Sequence, residues 1–482
     1  MQGFNLISRK PEIVWIDTNS IDITRMEPEY YKSKYLEGIT KIENIPFTLL
    51  EEIVTDVKDG PGGWGIKASE YVNSGVPMLR GVNIIGGLLS IDDCVYITHK
   101  KQEELKRSKV VKDDVLLVVR GSIGIGKSAV YNKEYEANMN AAVVKITLKS
   151  DIVDPYYVSC FFNSRYGRLQ TERLANGVNQ QNTNLTEVKS NKIPMPAVEV
   201  QKYIGRKVKL AEELREKSKL LRAEAVKLIE EGSNSKLLIN RYDSTRDKCK
   251  WIQQSEITER IDGQFYNNPI MGISNEMEVL KFNVVKLSRL AKIGKGFSYT
   301  QSNYNENIPY VRISDLDDLT IDFSNVIKTD LETYEKKKDS QLRKYDLITA
   351  ITGATIGKIS LFHDCRSEKA TLSADTAYIR FINIDDAITY LIYFKTNIGQ
   401  LSILQGVTGV TNKHLSLEHI KEIKVPVFRE DVKRLVKERI LMSLESSKKS
   451  NELIAEAQRD VEDIVEGIFD MSKLNETTFE SR

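Results

Sequence analysis

The first residues that could do chemistry are Gly121-Ser-Ile-Gly124-Ile-Gly126-Lys127-Ser128. Their spacing matches the phosphate-binding loop, in which backbone amides and a lysine cradle phosphates ahead of a helix. The next residues, Ala129-Val-Tyr-Asn132, read as a strand and then a turn. A phosphate loop instead opens a helix whose amides and dipole face the anion. The similar stretch Gly353-Ala-Thr-Ile-Gly357-Lys358 is one residue shorter and runs on into Ile359. The expectation is therefore a glycine-rich strand connection in which Lys127 and Lys358 face a phosphate outside the chain.

Other catalytic patterns fail on spacing. An amino-directed DNA methyltransferase needs an Asp/Asn-Pro-Pro-aromatic loop to hold a flipped base. Asp154-Pro155-Tyr156-Tyr157 lacks the second proline and reads as a helix start, with Asp as cap and Pro in the first turn. Glu187-Val-Lys189 has no upstream acidic partner for a nuclease site and reads as a solvated charged loop. His99, His363, His414 and His419 fall into no metal or nucleophile pattern, and His414 alone is kept as a DNA contact.

Two polar loops fit nucleic-acid contact. Gly177-Val-Asn179-Gln180-Gln181-Asn182-Thr183-Asn184-Leu185 gathers five amide side chains, and Asn or Gln can pair with adenine through two hydrogen bonds. Its counterpart is Gly406-Val-Thr408-Gly-Val-Thr411-Asn412-Lys413-His414-Leu415. Asn179, Gln180, Gln181, Asn182 and Asn184 are the candidates for base edges in the first loop; Thr408, Thr411, Asn412, Lys413 and His414 are those in the second. The competing reading of either loop is a hydrogen-bonded cap ahead of a proline link.

The elements that must position these loops occur twice. Tyr31 and Tyr266, in Tyr30-Tyr31 and Phe265-Tyr266, stand 235 residues apart. Val76-Pro77-Met-Leu-Arg80 answers to Ile308-Pro309-Tyr-Val-Arg312, and Asp114 to Gly121 answers to Asp346 to Gly353, both at a spacing of 232. Lys192-Ile-Pro194 pairs likewise with Lys424-Val-Pro426, and Glu231-Gly232 with Glu466-Gly467. A period this long means duplicated domains. Within each copy, runs rich in Val, Ile and Thr (115–119, 142–148, 347–351, 377–382) read as strands. A proline link then stops that pattern, and a long charged segment of high helix propensity comes after it.

Both helical segments carry a 3,4-spaced seam. Ile204, Ala211, Leu214, Ser218, Leu221, Ala225 and Leu228 form the first, with Lys207 as an exception. Val436, Ile440, Ser443, Ser447, Ser450, Ile454, Ala457, Val461, Ile464 and Ile468 form the second. Seams of this length want a partner helix, and their Ser and Ala residues let two backbones approach closely.

The 482 residues fit two or three domains, with 41% hydrophobic residues to build cores. Lys+Arg at 70 against Asp+Glu at 68 leaves a formal charge of +2, which excludes a polycation coating nucleic acid without selectivity. No apolar run is long enough for a membrane span, and the N-terminal residues lack the pattern of a secretory signal, so a cytoplasmic protein is expected. Cys94, Cys160, Cys249 and Cys365 lie far apart and read as buried small hydrophobes.

The duplicated order of these motifs over residues 20–470 resembles the specificity (S) subunits of Type I restriction-modification systems. The resemblance implies an α+β chain of two pseudo-symmetric target recognition domains separated by two long antiparallel coiled-coil helices. It divides the sequence into an N-terminal segment (1–21), a first recognition domain (22–195), a first spacer helix (196–234) and a linker (235–256). A second recognition domain (257–427), a second spacer helix (428–470) and a C-terminal tail (471–482) complete it. It implies no catalysis in this chain and no cofactor of its own. Two modification (M) subunits would transfer methyl from S-adenosylmethionine to adenine, and restriction (R) subunits would use ATP and magnesium to translocate and cut double-stranded DNA. Each domain would read one half of a split, asymmetric site. The balanced charge departs from a naive DNA-binding expectation, which extensive protein interfaces would explain. Two alternatives stay open: a stand-alone nucleotide-dependent nuclease or methyltransferase, active as the isolated chain, and a coiled-coil scaffold with no sequence preference.

Overall fold

The computed structural model describes residues 13–18, 21–62, 65–121, 124–149, 151–175, 181–233, 251–257, 266, 283–299, 307–363, 369–409 and 412–475. The chain divides into two units, residues 1–216 with 446–482 and residues 217–445. Both long helices, α1 (Val198–Gly232) and α2 (Glu430–Glu466), pass through that division.

In the first unit a four-stranded sheet is built from β1 (Val54–Asp59), β2 (Val115–Val118), β3 (Ser128–Val130) and β4 (Val143–Leu148), in the order β1-β4-β2-β3 and antiparallel throughout. Strand side chains alternate between faces. Val115 and Leu117 enter a core with Tyr157, Phe161 and Ile204, while Leu116 and Val118 enter another with Ala129, Tyr131 and Met139. Burial on both faces explains why these strands read as unbroken apolar runs. A three-stranded sheet, Asn138–Met139, Val76–Leu79 and Val95–Ile97, adjoins the second core.

The second unit repeats the plan. Strands β5 (Ala291–Lys295), β6 (Leu347–Ala350), β7 (Ile359–Leu361) and β8 (Thr376–Phe381) form a sheet in the equivalent order β5-β8-β6-β7. Leu347 and Ile348 again split between two cores. Asp114 and Asp346 are both 1% exposed at the start of their strands. Asp114 accepts the amide of Val111 at 2.8 Å, and Asp346 that of Arg343 at 2.8 Å. The second carboxylate oxygen takes the Thr147 hydroxyl in one copy, and in the other the carboxylate takes the Arg380 guanidinium.

The proline links are themselves strands. Lys192–Pro194 pairs antiparallel with Phe47–Leu49, and Lys424–Pro426 with Val284–Lys286. The expected end of the strand pattern is therefore corrected: a strand far back in sequence supplies the partner.

Within each unit, a stretch of α1 lies antiparallel to a stretch of α2. In the first, the Ser450 hydroxyl donates to the Ala211 carbonyl at 2.6 Å, and Lys207 Nζ meets Asp460 Oδ2 at 2.6 Å. In the second, the Ser218 and Ser443 hydroxyls lie 2.8 Å apart, each 2.9 Å from the other residue's carbonyl. Small serines allow that approach, as the seam implied. Ile468 is a correction: it is 65% exposed and lies beyond the helix. Gly467 takes φ 71°, and the amides of Gly467 and Ile468 close onto the carbonyls of Ile464 and Asp463. That left-handed stop is cheap only for glycine. Residues Met471–Asn475 then form a 3-10 turn whose Lys473 also binds Asp460, at 2.7 Å. Of the cysteines, Cys160 is buried and Cys94 half-buried; Cys249 and Cys365 lie outside the described residues.

Candidate nucleic-acid interface

The glycine-rich connection runs from β2 to β3. Gly124 and Gly126 take φ 112° and 80°, conformations that turn the chain back on itself at little cost only for glycine. The Gly126 amide donates to the Val118 carbonyl at 2.9 Å, and the Lys127 amide to the Gly124 carbonyl at 3.1 Å. Two amides that a phosphate cradle would aim outward are thus spent inside the turn, and Ser128 begins a strand. In the second unit Gly353 and Gly357 have φ 78° and 94°, and β7 comes next. Lys358 is exposed; Lys127 is half-buried, with its side chain folded over Gly124.

The polar loop of each unit is pinned to this turn. Gln181 and Asn182 pair antiparallel with Gly121 and Arg120, and the Thr183 amide donates to the Val119 carbonyl at 3.1 Å. In the second unit His414 bridges Thr352, and the Leu415 amide donates to the Ile351 carbonyl at 2.9 Å. The spacing of 232 residues found in the sequence carries Arg120 onto Thr352, Asn182 onto His414 and Thr183 onto Leu415. The backbone arrangement is shared and the side chains differ. Asn182 Oδ1 accepts from Arg120 Nε at 2.8 Å, whereas the Thr352 hydroxyl donates to Asp375 Oδ1 at 2.9 Å.

Asn182, Thr408, Asn412, Lys413 and His414 are exposed. The Thr408 hydroxyl donates to the His414 carbonyl at 3.3 Å across a short two-stranded ladder, Val407–Thr408 with His414–Leu415. Asn184 is exposed but caps the helix Leu185–Lys189: its Oδ1 accepts the Glu187 amide at 2.9 Å, and Glu187 returns to the Asn184 amide at 2.8 Å. The cap takes up one lone pair of Oδ1 and ties the side chain to the helix end, leaving its NH2 and the second lone pair for an outside partner. Ser416 holds the equivalent cap through the His419 amide. Asn179, Gln180 and Thr411 lie outside the described residues, as does the side chain of Gln181.

The remaining sequence candidates have structural partners. Asp154 Oδ1 caps Pro155–Asn163 by accepting the amides of Tyr156 and Tyr157. Glu187 pairs with Arg25 at 3.2 Å, and His419 Nε2 lies 3.1 Å from the Ser402 carbonyl. Among the described residues no group of three or more His, Cys, Asp or Glu side chains suits a metal ion, and no helix is long and apolar enough to cross a membrane.

Two arginines were missed. Arg120 keeps 36% of its side chain exposed at the turn, 3.9 Å from Asp59; it stands directly before Gly121, at the head of the glycine turn whose lysine drew attention. Arg25 is 9% exposed and reaches residues about 150 positions away, a contact that leaves no local signal. Its guanidinium lies 4.3 Å from the centre of the Tyr30 ring and that of Arg173 3.8 Å from it. Burial pushes the Tyr30 phenol above its usual range.

The model of the Type I restriction modification DNA specificity domain matches this chain twice, over residues 60–220 and 280–450. The Type I restriction enzyme EcoBI specificity subunit of Escherichia coli is 24% identical over 162 residues, 33% of this chain and 33% of that protein. The putative type I restriction enzyme MjaX specificity subunit of Methanocaldococcus jannaschii is 26% identical over 135 residues, 27% of this chain and 32% of that one. The matches thus span about a third of each curated relative. The crystal structure of a Type-I restriction-modification system S subunit from M. genitalium aligns at 14% identity with a TM-score of 0.46, covering 89% of this chain and 97% of that one. That of the HsdS subunit from Thermoanaerobacter tengcongensis aligns at 16% identity with a TM-score of 0.28, covering 88% and 96%.

Proposed function

We propose, from the premise that this chain belongs to the Type I restriction modification DNA specificity family, that it is the DNA-reading subunit of a Type I restriction-modification complex in the cytoplasm. The recognition domains 22–195 and 257–427 each read one half of a bipartite, asymmetric site in double-stranded DNA. Two M subunits then methylate adenine and R subunits cleave. S-adenosylmethionine, ATP and magnesium serve those partners, and this chain contributes recognition without catalysis. Base edges are read by the loops at Asn179, Gln180, Gln181, Asn182 and Asn184, and at Thr408, Thr411, Asn412, Lys413 and His414, while Lys127 and Lys358 hold phosphates.

The supporting observation is the duplicated turn-and-loop: one backbone arrangement, held by equivalent hydrogen bonds, presents Arg120 and Asn182 in one unit and Thr352 and His414 in the other. Equal scaffolds with unequal side chains are what two readers of two different sequences require, because base edges are distinguished by donor and acceptor pattern. The test mixes the full chain with its cognate M subunit and S-adenosylmethionine and sequences the methylated DNA. The expected result is a methyl mark at one split sequence. Nuclease or methyltransferase activity in the chain alone, or methylation without sequence preference, would overturn the reading.

A further inference from the structure

We propose that Arg25 is a positioning residue for the first recognition loop, holding both of its ends in register with the DNA. The inference rests on the reading of that loop as a base reader. The loop leaves the helix Arg165–Leu174, pairs with Gly121 and Arg120 at Gln181–Asn182, and ends at the cap of Leu185–Lys189. Arg25 touches both ends. Its Nη2 donates to the Arg173 carbonyl and its Nη1 to the Leu174 carbonyl, each at 3.2 Å. These carbonyls belong to the last turn of a helix, where the helix itself supplies no donor. The same Nη1 lies 3.2 Å from Glu187 Oε1, and Glu187 closes the cap on Asn184.

A guanidinium is suited to this task because its planar fork carries five donors in fixed directions, which a lysine ammonium does not reproduce. The clamp is itself held. The Tyr30 ring packs against the guanidinium groups of both Arg25 and Arg173, the Arg173 Nε donates to the Tyr30 carbonyl at 3.0 Å, and Glu27 accepts the Arg25 Nε–H. Fixing both ends of a loop reduces the conformations available to the side chains between them, and reading a base demands such preorganisation.

In the second unit the residues that correspond to Arg25 lie outside the described residues, and the contact seen at this place is another one. His419, at the position equivalent to Glu187, reaches the Ser402 carbonyl of the preceding helix directly. Arg25 makes these contacts within the first recognition domain, so a change there should act on one half-site only.

The test uses the full chain assembled with its cognate M subunit, reading methylated sequences for Arg25→Ala, Arg25→Lys and a Gln180→Ala, Asn182→Ala loop variant. Arg25→Ala is expected to lower discrimination against single mismatches in the first block, the half-site read by residues 22–195 (the other half-site being the second block), by about tenfold, a partial loss of the usual cost of a mismatch. Arg25→Lys should restore part of it, and the second block should stay unchanged, reporting that the chain has folded and assembled. A first block as sharp as in the parent, or equal loosening of both blocks, overturns the clamp. If the loop variant shifts the first block and Arg25→Ala does not, the clamp alone fails; if the loop variant shifts nothing, the base-reading assignment fails. Should Arg25→Ala not assemble, Glu187→Gln carries the test: it keeps an acceptor for the cap, removes the ion pair, and should relax the first block to a smaller degree with the second intact.

Discussion

Asn182 holds Arg120 by its Nε–H at 2.8 Å, and in the second unit the equivalent positions are His414 and Thr352, which share a backbone bridge. With Nε fixed, Nη1 and Nη2 of Arg120, the latter 3.9 Å from Asp59 Oδ2, are donors of the kind that binds guanine O6 and N7. Arg120→Ala is expected to cost about 1–3 kcal/mol of discrimination at one position of the first block. His414→Ala should act on the second block only. Competition binding with duplexes changed one base at a time checks both; an Arg120 effect spread evenly over all duplexes would make it a phosphate contact.

Much of this architecture was legible because the duplication is written at a constant spacing. Asp114 and Asp346 were visible as landmarks before their purpose was: each closes the turn that starts a strand buried on both faces. Lys207 stood out as an exception in its seam, and Asp460 accounts for it, although only the fold brings the two together. Ile468 was misplaced because heptad periodicity continues past Gly467 while backbone geometry does not. The Lys192–Pro194 strand, its partner Phe47–Leu49 and the Arg25 clamp are pairings across well over a hundred residues, for which no local pattern exists.

Ile454 on α2 is 9% exposed in the core that also holds Ile204, Ala211 and Leu453. Ile454→Asp would bury a carboxylate with no partner designed for it, so a loss of about 3 kcal/mol or more is expected. Ile454→Leu should cost less than about 1.5 kcal/mol. Denaturant midpoints measure both, and an unchanged midpoint for the aspartate variant would remove Ile454 from the packed seam.

Glu212 gives the first unit a pH dependence. It is 8% exposed, accepts from Asn132 Nδ2 at 2.9 Å, and burial pushes its carboxyl up to about 7. At low pH the group is protonated whether the chain is folded or not, and folding carries no penalty. As pH rises from the ordinary glutamate range towards 7 the unfolded chain ionises first, and stability falls by about 3 kcal/mol. Glu212→Gln removes the ionisation. Its advantage over the parent should be larger at pH 8 than at pH 4.5, and equal differences at the two pH values would contradict the assignment.

Lys127 and Gln180 belong to different classes of contact in the proposed interface, and the two should fail differently. Lysine supplies charge without sequence information, whereas an amide carries the code for adenine. Lys127→Ala should weaken target and scrambled duplexes alike and reduce by about 1 the slope of log affinity against log salt, because one phosphate contact releases about one counterion. Gln180→Ala should cost about 1–3 kcal/mol on the target, leave the scrambled duplex nearly unchanged and keep the salt slope. Salt-titrated binding of the assembled complex measures all of these quantities. A Gln180 loss equal on both duplexes would return that loop to a structural role, and a Lys127 loss confined to the target would move the glycine turn from the phosphates to the bases.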